Sequence, residues 1–192
     1  MNDTTLAPRP TTAAGTSLKL HWSPVSPYVR KVMALAHETG LAGRIEPVLS
    51  PVQMITPNMR LMEDNPLGKV PTLVLPDGRA LFDSAVICEY LDGLHGGRRF
   101  FPEEPSARLQ ALGWHSLGNG MADILLLWYR ENLRPVEKRM QELLDIFRLK
   151  VAASIPVLER EADALERTPP NIGHLAIACS LDYIDFRFPE LV

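Results

Sequence analysis

The sequence has few of the residues that build disulfide frameworks and metal centres. Its 192 residues include only two cysteines, Cys88 and Cys179, which lie far apart and each within an apolar helical pattern. There is no CxxC motif and no pair of histidines with the spacing of metal ligands. We therefore predict that both cysteines are buried as small apolar side chains and that no metal is bound. This cysteine usage also fits a reducing compartment.

The sequence also lacks a basic cluster and a long hydrophobic run. The net charge is −3, and outside the stretch SPVSPYVRK (residues 23–31) the basic residues form close pairs only at 98–99 and 138–139. A nucleic-acid partner needs a concentrated basic surface, so we expect none. No stretch approaches the length of a membrane span, and residues 1–17 lack the apolar core of a signal peptide. We predict a disordered leader at 1–17 and a cytoplasmic protein without a membrane partner.

Apolar residues are plentiful, at 46%, and their periodicity divides the chain into two parts. In the first part strand and helix patterns alternate: a strand at 18–22, a helix after Ser26, an edge strand at 44–50, a hairpin at 72–82 and a helix capped by Ser84. The connection at 51–64 has room for one helical turn. Strands joined through a helix are parallel and a hairpin is antiparallel. Residues 18–95 are therefore predicted to form a thioredoxin-like α/β domain.

The second part has only helical patterns. A Gly- and Pro-rich linker at 96–105 leads into a predicted all-helical domain at 106–192. One long helix is expected at 107–133, weakened by Gly118 and Gly120, and another at 136–167. Pro156 is expected to kink the second helix or to end it near residue 155. The helix that follows Asn171 is apolar almost all the way round, which is typical of the inside of a bundle.

The stretch SPVSPYVRK places Ser26 at the start of the first helix, with Pro27 as its first residue. An ordinary helix cap explains this pattern. The same geometry also suits an anion, because free N–H groups and the positive end of the helix dipole meet there. A thiolate that accepts a hydrogen bond from the hydroxyl would have a lowered pKa. Ser23 could donate to the thiolate instead, but it precedes the helix, so we assign it a secondary role in ligand binding and in the turn.

The stretch NPLGKVPTL (residues 65–73) puts a proline directly before a buried strand. One solution is a cis Val70–Pro71 bond, which exposes the backbone of Val70 to an extended peptide. An ordinary trans loop is the alternative. Lys69 either offers a cation to a ligand carboxylate or is a solvated surface lysine.

The stretch FDSAVICEYLD (residues 82–92) begins the third predicted helix. Ser84 is predicted to be its N-cap, which creates a second group of free N–H donors. Asp83 beside it can pair with an ammonium group. A ligand that carries an ammonium and a carboxylate on one carbon would suit these two residues together.

In order and spacing, these three stretches resemble the active-site turn, the cis-proline strand and the glutathione-binding acidic-Ser step of the glutathione transferases. NIGHLAIACSLDYIDFRFP (residues 171–189) resembles that family's buried helix, and the likeness extends over residues 18–192. It is greatest to bacterial serine-type members. The resemblance implies that the Ser26 hydroxyl stabilises the glutathione thiolate and that Val70, before cis Pro71, pairs with the cysteinyl part. Further implied contacts are Asp83 and Ser84 with the γ-glutamyl end and Lys69 with the glycyl carboxylate.

The resemblance also implies a homodimer and an electrophile pocket in the helical domain. Met121, Asp123 and Trp128 are candidates to line that pocket, although Met and Trp at helical spacing also suit a core. Three features depart from the family pattern. His174 stands where the buried helix normally has the acid of a capping box, so the reciprocal bond is expected to be weaker or differently made. Asp83 stands where Glu is frequent. The chain stops at Val192, where members usually continue, so the helical domain is expected to be truncated.

The function implied is conjugation of reduced glutathione to small hydrophobic electrophiles, with glutathione as co-substrate and peroxide reduction as a side activity. With serine at the active-site turn, disulfide exchange through the protein is disfavoured, since a hydroxyl cannot form a mixed disulfide. The alternative is a non-catalytic scaffold or a hydrophobic-ligand-binding protein on the same fold. A scaffold does not need Ser26, Val70–Pro71 and Asp83–Ser84 together, which favours the enzyme.

Overall fold

A four-stranded mixed sheet organises the first domain of the computed structural model, which describes residues 17–189. Most of the predicted leader lies outside the described residues. The strands are β1 (Leu18–Trp22), β2 (Ile45–Leu49), β3 (Thr72–Val74) and β4 (Ala80–Leu81), in the order β2-β1-β3-β4. β1 is parallel to β2, and β3 is antiparallel to β4, as predicted. β1 also pairs with β3, in the antiparallel sense. Pro47 is tolerated because β2 is an edge strand, with a free side that needs no ladder donor.

Three helices complete this domain: α1 (Pro27–Glu38), α2 (Met59–Met62) and α3 (Ser84–Asp92). α2 is the single helical turn expected between residues 51 and 64. The core lies between the central strands and the inner faces of α1 and α3; its fully buried members include Leu20, Val32, Leu35, Leu73, Ile87, Cys88 and Leu91. Cys88 and Cys179 are both buried and unpaired, as predicted.

Three long helices form the second domain: α4 (Pro105–Asn132), α5 (Gln141–Arg167) and α6 (Ile172–Arg187). α4 runs unbroken through Gly118. The glycine leaves the space that α6 needs to pack closely against α4 at this point. A Cβ at Gly118 would lie 2.5 Å from the carbonyl carbon of Ala176. The prediction that α5 ends near residue 155 is wrong, since Pro156 lies inside a continuous helix.

The start of α6 carries a capping box with an unusual partner. Asn171 Oδ1 accepts from the N–H of Gly173 at 2.9 Å, and the N–H of Asn171 donates to His174 Nδ1 at 3.2 Å. His174 Nε2 in turn lies 3.0 Å from the carbonyl oxygen of Leu165. The reciprocal bond is thus differently made, with an imidazole nitrogen in place of a carboxylate.

The junction between the domains is held by Asp92 at the end of α3. Its carboxylate accepts from the backbone N–H groups of Phe100 at 2.8 Å and Phe101 at 3.0 Å. The carbonyl of Phe100 accepts from the N–H of Ile172 at 2.9 Å, which ties the linker to α6. Helix α1 packs against α6 across this junction, so the two domains share an interface at α1. Within residues 17–189, no helix is long and apolar enough to cross a membrane.

Candidate functional site

Ser26 caps α1, as the sequence predicts. Its backbone is extended, and its Oγ accepts from the N–H of Val29 at 3.3 Å. The N–H of Ser26 donates to the carbonyl of Ser23 at 3.3 Å, which closes the turn between β1 and α1. The bond to Val29 uses the hydroxyl as an acceptor, so its proton is left for an anion at the helix N-terminus.

The loop before β3 lies beside this turn. β1 and β3 are antiparallel and pair His21 with Thr72, so the residues that follow β1 and those that precede β3 leave the sheet at the same end. The Val70–Pro71 peptide bond is cis. The side chain of Lys69 is exposed, while its carbonyl accepts from the hydroxyl of Thr72 at 2.8 Å.

Asn65 holds the loop in shape and was missed by sequence reasoning. It is completely buried, and its amide donates to the carbonyl of Lys69 at 3.2 Å and to Thr72 Oγ1 at 2.9 Å. Its Oδ1 accepts from the N–H of Leu67 at 3.0 Å. The only sequence signal was an asparagine at the head of NPLG, a composition that indicates a turn and not a buried network.

The prediction that Ser84 caps α3 is wrong, because the cap is Asp83. Asp83 Oδ1 accepts from the N–H of Ala85 at 2.9 Å, and Ser84 is the first residue of the helix and buried. Aspartate is as good a cap as serine and adds a favourable charge at the positive end of the dipole. Asp83 remains exposed, so its second oxygen can meet a ligand.

The sheet brings these segments together at one end. β3 and β4 are antiparallel and pair Leu73 with Leu81, so the segment that follows β4 also leaves the sheet at this end. That segment is Asp83 and Ser84, where α3 begins. The cap of α1, the backbone of Val70 and the start of α3 therefore lie side by side. An extended peptide with an ammonium-bearing end fits this arrangement: the backbone supplies hydrogen bonds, and Asp83 supplies a negative charge.

Of the three residues predicted to line an electrophile pocket, two are buried in the structure and one is exposed. Met121 is 1% exposed and Trp128 is 3% exposed, and both pack in the core of the helical domain. The core alternative is therefore correct for these two, since α6 covers the face of α4 that carries them. Asp123 is exposed and accepts a hydrogen bond from the hydroxyl of Tyr28.

Tyr28 is a second residue that sequence reasoning missed. It lies on the first turn of α1, two residues after Ser26, and its hydroxyl bridges the domains to Asp123 on α4. Burial raises the pKa of Tyr28 well above its usual range, and the hydrogen bond that its hydroxyl donates to Asp123 and the charge of Asp83 act in the same direction. Tyr28 is thus neutral, and its hydrogen bond links the first turn of α1 to the helical domain.

His21 forms a buried cluster with Ser50 and Asp64 behind the active-site turn. Its Nδ1 lies 2.7 Å from Ser50 Oγ, and its Nε2 lies 2.9 Å from Asp64 Oδ2. The residue types are those of a hydrolytic triad, but His21 and Ser50 are 5% and 3% exposed, so no substrate reaches the hydroxyl. The cluster ties the end of β1 to both ends of the 51–63 connection.

Within the described part of the chain, no group of three or more His, Cys, Asp or Glu side chains could hold a metal ion.

Comparison with known proteins agrees with this geometry. Residues 25–94 match the family model of the glutathione S-transferase N-terminal domain. The chain is 32% identical over 172 residues to the uncharacterized GST-like protein YibF of Escherichia coli K12, covering 88% of this chain and 83% of that protein.

Solved structures agree as well. A glutathione transferase family member from Pseudomonas fluorescens Pf-5 with bound glutathione is 43% identical, with a TM-score of 0.88 over 91% of this chain and 86% of that one. A glutathione S-transferase from Methylobacillus flagellatus KT with glutathione bound is 30% identical, with a TM-score of 0.81 over 91% and 86% of the two chains. The chain belongs to the glutathione transferase family.

Proposed function

We propose that the protein is a serine-type glutathione transferase that joins the sulfur of reduced glutathione to small hydrophobic electrophiles. The observation that carries the proposal is the meeting of Ser26, Val70 and the Asp83–Ser84 step at one end of the sheet. Glutathione bound in the Pseudomonas and Methylobacillus relatives supports the same ligand here.

Each part of the tripeptide has a counterpart in the site. The γ-glutamyl ammonium pairs with Asp83, and its carboxylate takes hydrogen bonds from Ser84 and the first N–H groups of α3. The cysteinyl backbone pairs with Val70 as an added strand. Lys69, whose side chain is exposed, reaches the glycyl carboxylate.

The sulfur then lies at the N-terminus of α1, where the Ser26 hydroxyl donates to it and the helix dipole favours the anion. The thiol proton leaves to solvent. The thiolate attacks carbon: either a C–S bond forms as the bond to a leaving group breaks, or the thiolate adds to an activated double bond and the neighbouring carbon takes a proton. Ser26 forms no covalent bond at any stage. Most of the rate comes from holding an ionised thiolate beside the electrophile.

A second reaction uses the same thiolate. Attack on a peroxide O–O bond gives an alcohol and the sulfenic acid of glutathione, which a second glutathione converts to the disulfide with loss of water. We keep this as a side activity of the proposed transferase.

The test is a conjugation assay with reduced glutathione and a panel of aryl halides and activated alkenes. We expect turnover by the wild type and a loss of at least tenfold in kcat/KM at neutral pH for Ser26→Ala. The helix-cap cost of that change is about 1 kcal/mol, so the fold should survive. Ser23→Ala is the matched control, a neighbouring serine that does not cap the helix, and should retain most activity.

Undiminished conjugation by Ser26→Ala would contradict the role of the hydroxyl. Glutathione binding without turnover of any electrophile in the panel would instead favour the non-catalytic scaffold.

We further propose a cytoplasmic homodimer. Exposed apolar side chains on α4 and α3 support the second copy: Leu109 is 73% exposed, Leu127 52% and Val86 47%. A second copy that covered them would remove this apolar surface from water.

A further inference from the structure

Lys31 on α1 is among the most deeply buried side chains of the protein. It is 1% exposed, and its Nζ lies 2.8 Å from His115 Nε2 and 2.8 Å from Asn119 Oδ1. His115 and Asn119 are one turn apart on α4, so the ammonium group reaches across the junction into the other domain. Neither partner carries a negative charge. None of the ion pairs among residues 17–189 involves Lys31.

A lysine buried against neutral partners is costly, because removing a charge from water is compensated only by hydrogen bonds. Burial lowers the pKa of Lys31, and the surrounding acidic groups oppose that shift. The titratable groups that face it come from every helix packed around it: His115 and Asp123 on α4, Cys88 on α3, Asp83 at the start of α3, and Cys179 on α6.

The ammonium group of Lys31 lies near the end of α1 that carries Ser26. Lys31 follows Ser26 by five residues, about 7.5 Å along the helix axis at 1.5 Å per residue. Long side chains on a helix lean toward its N-terminus, which brings the ammonium group closer to the Ser26 end. Asn119, its partner, is one turn from Asp123, which accepts from Tyr28 on the first turn of α1.

We propose that the buried ammonium of Lys31 is a fixed positive charge that stabilises the glutathione thiolate held at Ser26, with His115 and Asn119 as its positioning partners. The inference rests on the proposed function, since it concerns the same sulfur. A cation about 10 Å from a thiolate across a protein interior, at an effective dielectric constant of about 20, lowers the thiol pKa by about one unit. Lys31 adds to the Ser26 hydroxyl and the helix dipole without touching the substrate.

The test is an ultraviolet titration of the thiolate in the protein–glutathione complex. Lys31→Met keeps the length of the side chain and removes the charge, and we expect it to raise the pKa of the bound thiol by about one unit. The affinity for S-methylglutathione, which has no ionisable thiol, should change less than threefold. Arg30→Met is the matched control: Arg30 is the adjacent cation, but its side chain is 59% exposed and pairs with Asp182, so water screens it.

Lys31→Gln is the second variant. Its amide keeps a donor for Asn119 Oδ1 and carries no charge, so we expect the same rise in the thiol pKa. A residue that served only to hold α1 against α4 would leave the thiol pKa unchanged in this variant.

The two proposals fail in different ways. Absence of glutathione binding by the wild type would overturn the proposed function. Wild-type binding, with a thiol pKa raised by Ser26→Ala but unchanged by Lys31→Met and Lys31→Gln, would overturn the role of Lys31 alone. Should Lys31→Met not fold, Lys31→Gln decides by the same criterion.

Discussion

Single residues fix the shape of the loop before β3, and Asn65 does so with three hydrogen bonds from a fully buried position. Asn65→Ala leaves the N–H of Leu67 without its acceptor and removes both amide donors. We expect a loss of about 1–3 kcal/mol in the free energy of unfolding. Because Val70 is displaced with the loop, glutathione affinity should fall by at least tenfold. Chemical denaturation and calorimetric titration measure the two effects.

Asn58→Ala is the control for this change. Asn58 caps α2 and makes two hydrogen bonds, to Leu61 and Pro51, outside the loop of residues 65–71. It should cost about 1 kcal/mol of stability and leave the affinity for glutathione unchanged. Equal losses of affinity in both variants would contradict a specific role for Asn65.

At this scale the sequence predicted the cap of α1 but missed Asn65, whose partners are near in the chain, and Tyr28 and Lys31, whose partners are distant. Ser26 was found as a cap because Ser-Pro before an apolar helical pattern is a local signal. The cap of α3 was assigned one residue late, since Asp83 and Ser84 are adjacent and both residue types cap helices. Tyr28 and Lys31 meet partners 95, 84 and 88 residues away, and no local pattern specifies such contacts.

Among the elements, α4 and α6 pack almost backbone to backbone at Gly118. A Cβ there would lie 2.5 Å from the Ala176 carbonyl carbon and 2.6 Å from the Ile177 nitrogen, and backbone cannot yield as a side-chain end can. We expect Gly118→Ala to lower the free energy of unfolding by about 1–3 kcal/mol. Gly120→Ala is the control on the same helix, since nothing lies within 4 Å of its Cβ position. That variant should be neutral or stabilising by up to about 1 kcal/mol, because alanine favours helix. A stable Gly118→Ala would contradict the close approach.

A histidine at the interface of α1 and α4, His115, makes the free energy of unfolding depend on pH. Burial, and then the charge of Lys31, lowers the pKa of His115 to about 4 from the usual 6.5, with Asp83 opposing. Between these values the unfolded chain binds a proton that the folded chain does not, so stability is complete above pH 6.5 and falls as the pH drops toward 4.

His115→Gln retains an acceptor for Lys31 but does not titrate. The difference in urea midpoint between wild type and variant should therefore change between pH 6.5 and pH 4, with the wild type losing more. Parallel pH profiles would show that His115 is not held neutral in the fold.

The elements themselves were largely predictable, and the reasons for the exceptions are physical. All four strands and five of the six helices follow from periodicity and turn residues, and the sixth, α2, was expected as a single turn. α5 continues through Pro156, so the expectation that the helix ends near residue 155 is wrong. Met121 and Trp128 lie in the core because α6 covers the face of α4 that carries them. The sequence of α4 alone does not show which of its faces is covered.

For the whole molecule we expect a homodimer that covers the exposed apolar side chains of α3 and α4. Sedimentation equilibrium should give twice the chain mass of 21.4 kDa, and Leu109→Glu should shift the equilibrium toward the monomer. Leu149→Glu is the control, a leucine 63% exposed on a different helix, α5, which should not alter the mass. A wild-type monomer at micromolar concentration would contradict the second copy.

The measurement that tests the central claim most directly is a calorimetric titration of the protein with reduced glutathione, alongside Asp83→Asn. Asparagine caps a helix as well as aspartate does, so this variant keeps α3 and removes only the charge offered to the γ-glutamyl ammonium. We predict saturable binding at one site per chain, weakened at least tenfold by Asp83→Asn. Absence of binding up to millimolar concentration, or equal affinity in the two proteins, would contradict a glutathione site built on Ser26, Val70 and Asp83.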